Sequence, residues 1–327
     1  MNEKVTEYLR NAYKSLKEED EEEALEYLKE ALQVDYEHQE VLYALKCLKW
    51  WLEKIKCLND FHDPYEKGGF ILSQWKSYYE FLDRIEEARF LNEKSEDSCQ
   101  YALKRFVFSR ALSYFLVLLQ DGSNQQDPEL LYQAGRCCKG AGNWEEALVY
   151  LEQASRLKRE DSAILSELAD VNALLGNERA AKVLFREAFF LDPQGIDLSG
   201  LESSMIVRLR DKVQELGHQG NELAEWIPIW GNIWGVFSVK RELKPVELGR
   251  LKQSILSLEN EYRNKNDGLK PGQEPLIKPR LLNRYFWLID YCEHKRDTAG
   301  YQGDGLMDDT MLKIKFIDPA IHGHYRT

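Results

Sequence analysis

A chain of 327 residues can bury a sizeable core, and its length allows about two domains. An apolar fraction of 43%, a charged fraction of 31% and a mean hydropathy of −0.54 describe a water-facing protein, and eight Trp with 17 Tyr exclude disorder over most of it. A net charge of −12 with no basic stripe repels a phosphate backbone, so nucleic acid is excluded as the expected partner.

The charge is unevenly placed. From Gly195 onward 19 Lys and Arg balance 19 Asp and Glu, so the whole acidic excess lies upstream. Its densest run, Glu18-Glu19-Asp20-Glu21-Glu22-Glu23, reads as a solvated helix start, where carboxylates suit the positive end of the helix dipole. Pro and Gly are sparse, which favours long helices over a sandwich that turns every ~8–12 residues. The first residues hold no apolar signal core, and the nearest candidate span, 226–237, is too short for membrane insertion. Cys47, Cys57, Cys99, Cys137, Cys138 and Cys292 show no CxxC and read as reduced thiols. The expected compartment is the cytoplasm, or the periplasm if an export signal has been removed.

In chain order, the first predicted element is a helical hairpin over 5–38. Ala12 sits in its first helix, and Ala24, Leu28, Ala31 and Val34 line the second, with Asp35 closing it. The turn between them, Glu18-Glu19-Asp20, has no glycine. Segment 41–58 reads as a helix with Leu42, Leu45, Leu48 and Leu52 on one side. A loop with Pro64 and Gly68-Gly69 follows, then an aromatic helix holding Trp75, Tyr78, Tyr79, Phe81 and Leu82. Segment 100–119 supplies one or two further helices, with Ala102, Phe106, Ala111, Phe115 and Leu118 as packing positions.

Segments 128–161 and 162–195 align at an offset of 34 residues. Leu131 falls on Leu165, Gly135 on Ala169, Gly142-Asn143 on Gly176-Asn177, Ala147 on Ala181, Leu151 on Phe185, Ala154 on Ala188 and Leu157 on Leu191. Small residues at Gly135/Ala169 and Ala147/Ala181 let two helices approach closely. Gly142 and Gly176 supply the left-handed residue that ends a first helix, Asn143 and Asn177 are placed to cap the next, and Pro193 stops the last. This pattern strongly resembles the tetratricopeptide repeat family. The resemblance covers about the first 195 residues, with clear units at 5–38 and 128–195 and diverged repeats over 41–126. It implies an all-α fold, a right-handed α-solenoid of such hairpins.

After Pro193 the repeat signature fades while helical patterning continues. Segment 200–216 spaces Met205, Val207, Leu209, Val213 and Leu216. Segment 222–238 carries Trp226, Trp230 and Trp234 at i, i+4 and i+8, one helical face, with Pro228 and Gly231 placed to kink or break it. Segment 245–262 is an amphipathic helix opened by Pro245. Segment 265–279 reads as a polar linker, 280–294 as a second aromatic helix, 297–304 as a loop, and 307–320 as a short element with an extended stretch at 312–317. The domains expected are 1–126, 127–195 and an aromatic-rich helical region at 196–327. In aromatic composition, though in no defined motif, segments 280–294 and 312–321 resemble spirochaetal tetratricopeptide proteins, including those of the flagellar motor collar.

No phosphate loop, HExxH, nucleophile elbow or kinase pattern occurs. His322-Gly323-His324 with Asp308 or Asp309 could supply metal ligands, but a polar tail explains them; Asp60-Phe61-His62-Asp63 reads as a loop, and Glu222 with Glu225 as ordinary helical carboxylates. The expectation is therefore a non-enzymatic scaffold or adaptor without cofactor or metal. It would hold a protein or peptide on the concave repeat face, with a homo-oligomer allowed. The resemblance places groove positions at Leu9 and Tyr13, at Tyr132, Arg136 and Lys139, and at Ser166, Asp170 and Ala173. In relatives that clamp chaperone tails, Lys and Asn on first helices hold the terminal carboxylate. Here only Arg136 and Lys139 suit one and Asp170 opposes it, which argues against a chaperone adaptor and for a mixed polar and aromatic partner surface. The Trp226, Trp230 and Trp234 stripe reads as core or as a partner anchor. The rival readings are a peptide or small-ligand receptor whose C-terminal helices close over the groove, a flagellar collar component and an enzyme.

Overall fold

The computed structural model describes residues 3–85, 98–120, 126–237, 242–263, 274–299 and 305–326. Among them every regular element is helical, in 15 α-helices with short 3₁₀ turns. The chain divides into two compact units, Met1–Leu157 and Lys158–Thr327. The division falls inside the 127–195 block that the repeat alignment treats as one segment.

The first unit contains α1 (Glu3–Lys17), α2 (Glu21–Val34), α3 (Gln39–Lys56), α4 (Pro64–Leu82), α5 (Cys99–Gln120), α6 (Pro128–Gly140) and α7 (Trp144–Leu157). Helices α1 and α2 form one hairpin and α6 and α7 another. In both second helices Ala, Leu and Ala recur at i, i+4 and i+7, as Ala24, Leu28 and Ala31 and as Ala147, Leu151 and Ala154, all essentially without exposure. That stripe is what folds each hairpin shut. Segment 100–119, left as one or two helices by its sequence, is the single helix α5, and it packs on α1, α4 and α6. Between the hairpins an aromatic cluster fills the core: Trp51 stacks on Trp75 at 5.7 Å and Trp50 on Phe81 at 5.5 Å. Gln100 ties the cluster together by donating to the hydroxyls of Tyr43 at 2.6 Å and Tyr78 at 2.9 Å. Buried polar groups of this kind are tolerated only when paired.

The second unit contains α8 (Ser162–Leu174), α9 (Glu178–Leu191), α10 (Ser204–Glu215), α11 (Asn221–Ile233), α12 (Pro245–Arg263), α13 (Glu274–Ala299), α14 (Leu306–Ile317) and α15 (Pro319–Arg326). Helices α8 and α9 form a third hairpin, with Ala181, Phe185 and Ala188 buried at the same i, i+4 and i+7 positions. Helix α13 is central: α11, α12 and α14 all pack on it, and it buries Leu281, Leu282, Tyr285, Phe286 and Ile289 almost all round. Its core also holds an ion pair between Arg186 and Asp290, with Arg186 donating to the Phe237 carbonyl at 3.1 Å and lying 4.7 Å from the Trp287 ring.

The three hairpin turns are one structure. Gly142 and Gly176 take φ of 83° and 81°, and Glu19 takes φ of 66° at the equivalent place. In each, the following N–H reaches back five residues: Asn143 to the Cys138 carbonyl and Asn177 to the Asn172 carbonyl at 2.8 Å, and Asp20 to the Ser15 carbonyl at 2.9 Å. This is the left-handed helix stop. The second helices α2, α7 and α9 that follow are each 14 residues long.

Several expectations are corrected. Asn177 stands at the N-cap of α9 without a side-chain capping bond, and its amide instead donates to the Asn172 side chain at 3.4 Å. Pro228 and Gly231 do not break α11, which runs unbroken across both. Glycine is needed at 231 because the chain folds back there: Phe237 N–H donates to the Gly231 carbonyl at 2.8 Å, and a Cβ at 231 would lie 2.5 Å from the Phe237 ring. Segment 312–317 is part of helix α14, where Met311 and Ile314 are buried while Leu312 and Phe316 face outward. The expected linker 265–279 lies partly outside the described residues, and from Glu274 onward it is helix α13. The expected loop 297–304 is likewise helical as far as Ala299, with 300–304 outside the described residues.

Candidate partner-binding grooves

The nine candidate residues separate by burial. Six lie inside the fold: Tyr132, Lys139, Ser166, Asp170, Trp226 and Trp230 are all buried. Asp170, the residue expected to oppose a carboxylate, accepts the Ser203 and Glu202 N–H groups at 2.8 Å each and so fixes the start of α10. Ser166 donates to the Ala163 carbonyl of its own helix at 3.0 Å. Arg136 is half-buried with its guanidinium 5.5 Å from the Tyr132 ring. The six buried side chains present little surface, while Arg136 keeps part of its own.

Tyr13 is different. It is buried as a residue, yet it lines a groove of about 420 Å³ formed by α1 and the start of α3 in the first unit. Leu9 lines it too, with Arg10, Lys14, Lys17, His38 and Glu40. The Tyr13 hydroxyl donates to Glu40 Oε1 at 2.9 Å, and burial with the nearby carboxylate holds the phenol well above its ordinary range. Glu40 is thereby occupied, and the groove presents cations in a chain whose acidic excess lies in this same half. Arg10, Lys14 and Lys17 follow at i, i+4 and i+7, a short basic stripe of α1 that corrects the expectation of none.

The Trp stripe runs from core to surface. Trp226 stacks on His218 at 4.4 Å, Trp230 packs on Trp234 at 5.0 Å, and Trp234, the C-cap of α11, is 40% exposed. Trp234 borders an open groove of about 450 Å³ in the second unit, with Met205, Val236, Lys182, Arg208 and Lys212. The neighbouring carboxylate Glu225 is committed elsewhere: its Oε1 accepts from Arg280 Nη2 at 2.6 Å and from Gln194 at 2.9 Å. Among the described residues no three His, Cys, Asp or Glu side chains are grouped to hold a metal ion, and none of the helices is long and apolar enough to cross a membrane.

No family model and no curated protein matches this chain.

No motif in the sequence singles out the cationic residues of either groove. The α1 stripe was visible as a charge pattern at helical spacing. Lys182 and Arg208 come from different helices, and no pattern along the chain joins them.

Proposed function

We propose that this chain is a non-enzymatic scaffold that holds a protein partner through tetratricopeptide-like hairpins. The α1–α2, α6–α7 and α8–α9 pairs are its repeat units, and a right-handed solenoid is the arrangement such units favour. The observation that carries the reading is the groove on α1 and α3, lined by Tyr13 and Leu9 among Arg10, Lys14 and Lys17. An aromatic hydroxyl, an apolar floor and a cationic rim suit a partner segment that offers carboxylates beside apolar side chains.

The test is proximity labelling with mass spectrometry, comparing the wild-type chain with Arg10→Glu/Lys14→Glu. Arg10 and Lys14 are exposed, so the variant should keep its helicity by circular dichroism. Partners labelled by the wild type and lost from the variant support the reading. An identical partner set would remove the α1 groove from it.

A further inference from the structure

The second groove carries a separate proposal, independent of the first because it lies in the other unit and shares no residue with it. Trp234 holds its indole half in solvent, backed by Trp230 at 5.0 Å, which is in turn edged by His324 at 5.3 Å. The ring is thus fixed in place rather than hanging from a mobile side chain. Beside it Met205 and Val236 supply apolar surface. Lys182 of α9 and Arg208 and Lys212 of α10 stand on the rim, with Lys212 Nζ 5.6 Å from the Trp234 ring centroid. Among the described residues none of these three cations has a carboxylate within ion-pair distance, and Glu178 is the one acidic residue of the rim. Three cations left together beside an exposed indole repel one another, and that repulsion is relieved when an anion arrives.

We infer that this groove is a docking site for an acidic peptide segment, with an apolar or aromatic side chain seated against Trp234 and flanking carboxylates on Lys182, Arg208 and Lys212. The groove is open along its length, which suits an extended segment over an enclosed small molecule. Charge complementarity selects the occupant: a neutral or basic segment gains nothing from the rim.

The experiment is fluorescence anisotropy with the full chain and a fluorescein-labelled nonapeptide, a central Phe flanked by Glu and Asp. A control peptide carries Gln and Asn in their place. The acidic peptide is expected to bind and the amide control to bind at least about tenfold more weakly, with affinity falling as salt is raised. Trp234→Ala should weaken binding about tenfold. Arg208→Glu/Lys212→Glu should abolish it, and Arg208→Gln/Lys212→Gln should weaken it to an intermediate degree. These side chains are exposed, so the variants keep the fold. Arg10→Glu/Lys14→Glu should leave this binding unchanged, which separates failure here from failure of the α1 groove. Equal binding of the amide control, indifference to the Arg208 and Lys212 changes, loss seen only with the α1 variant, or stronger competition by a single-stranded oligonucleotide than by the unlabelled peptide would each overturn the inference.

Discussion

Gly135 of α6 and Leu151 of α7 meet so closely that a methyl group on Gly135 would stand 2.6 Å from Leu151 Cγ. The contact is the reason for a small residue at this position in the hairpin, and Ala12 and Ala169 hold the same place in the other two, both without exposure. Gly135→Ala is therefore expected to destabilise the first unit by about 1–3 kcal/mol, the usual cost of an overpacked core. Because the two side chains share one space, Gly135→Ala and Leu151→Ala should be less than additive in a double-mutant cycle followed by urea unfolding. Strict additivity would mean that the helices separate to admit the methyl.

Glu19 offers the opposite opportunity. Its φ of 66° is the left-handed conformation that glycine holds in the other two turns. A residue with a Cβ is disfavoured there by roughly 1–2 kcal/mol, while glycine loses about 0.4–1 kcal/mol through the freedom it adds to the unfolded chain. Glu19→Gly should then stabilise by about 0.5–1 kcal/mol, read as a higher urea midpoint at unchanged slope. Gly142→Ala should lower the midpoint, since its φ of 83° is the same strained region. A drop in stability for Glu19→Gly would show that the turn is not under strain.

The hairpins were legible in the sequence because their spacing is local. Ala147, Leu151 and Ala154 declare a buried face within seven residues, and Gly142 declares the stop. Glu19 was not legible as the equivalent turn residue, since tertiary closure of the hairpin imposes a conformation its own preference opposes. Segment 312–317 alternates apolar and polar residues over a run too short to separate a strand from a helix, and the contacts of Met311 and Ile314 with the core decide it. The grooves were half visible. Tyr13 and Trp234 stood at marked positions. Arg208 and Lys212 flank the Trp234 groove only because α10 packs beside α11, which no local pattern encodes.

The Arg186–Asp290 pair sits in the core of the second unit with both side chains nearly inaccessible. Asn232 also donates to Asp290 Oδ2 at 3.3 Å, so the carboxylate satisfies two partners. Asp290→Ala strands a guanidinium between the Phe237 carbonyl and the Trp287 ring, at an expected cost of about 3–5 kcal/mol. Arg186→Met/Asp290→Leu removes both charges and should recover most of that loss. Calorimetric unfolding of the single and double variants checks it, and a double variant as unstable as Asp290→Ala would assign the loss to packing instead of charge.

The thiols should react very unequally. Cys57 is exposed and Cys292 half-buried, whereas Cys47, Cys99, Cys137 and Cys138 are buried. Burial and the neighbouring Glu146 push the Cys138 thiol up to about 12, and burial raises Cys137 as well. A disulfide reagent at pH ~8 should meet one fast-reacting cysteine, Cys57, a slower one, the half-buried Cys292, and four that are released only by denaturant. Cys57→Ser should remove the fast phase. Prompt reaction of more than one thiol in that variant, Cys292 being half-buried, would mean that the buried cysteines are reached through local opening.

Acid should weaken the second unit in a defined window. Burial pushes the Glu259 carboxyl upward, but hydrogen bonds from Lys313 and Tyr285, both at 2.7 Å, outweigh it and hold the group below its ordinary value. Asp318 is lowered in the same way, with burial overcome by Lys278 at 2.8 Å and the Ile321 N–H, and so is Asp161, with burial overcome by Lys158 and the Ile164 N–H. A carboxylate whose folded pKa is depressed binds fewer protons folded than unfolded between the two values. Its contribution is therefore complete above the ordinary carboxylate range and is lost as pH falls through the folded value. The urea midpoint should hold steady from pH ~7 to ~5 and fall below about pH 4. Lys313→Met removes one of the groups that depress Glu259, so the acid-induced fall should be smaller in that variant even though its midpoint at pH ~7 is lower. A fall of equal depth in both proteins would place the acid sensitivity on other carboxylates.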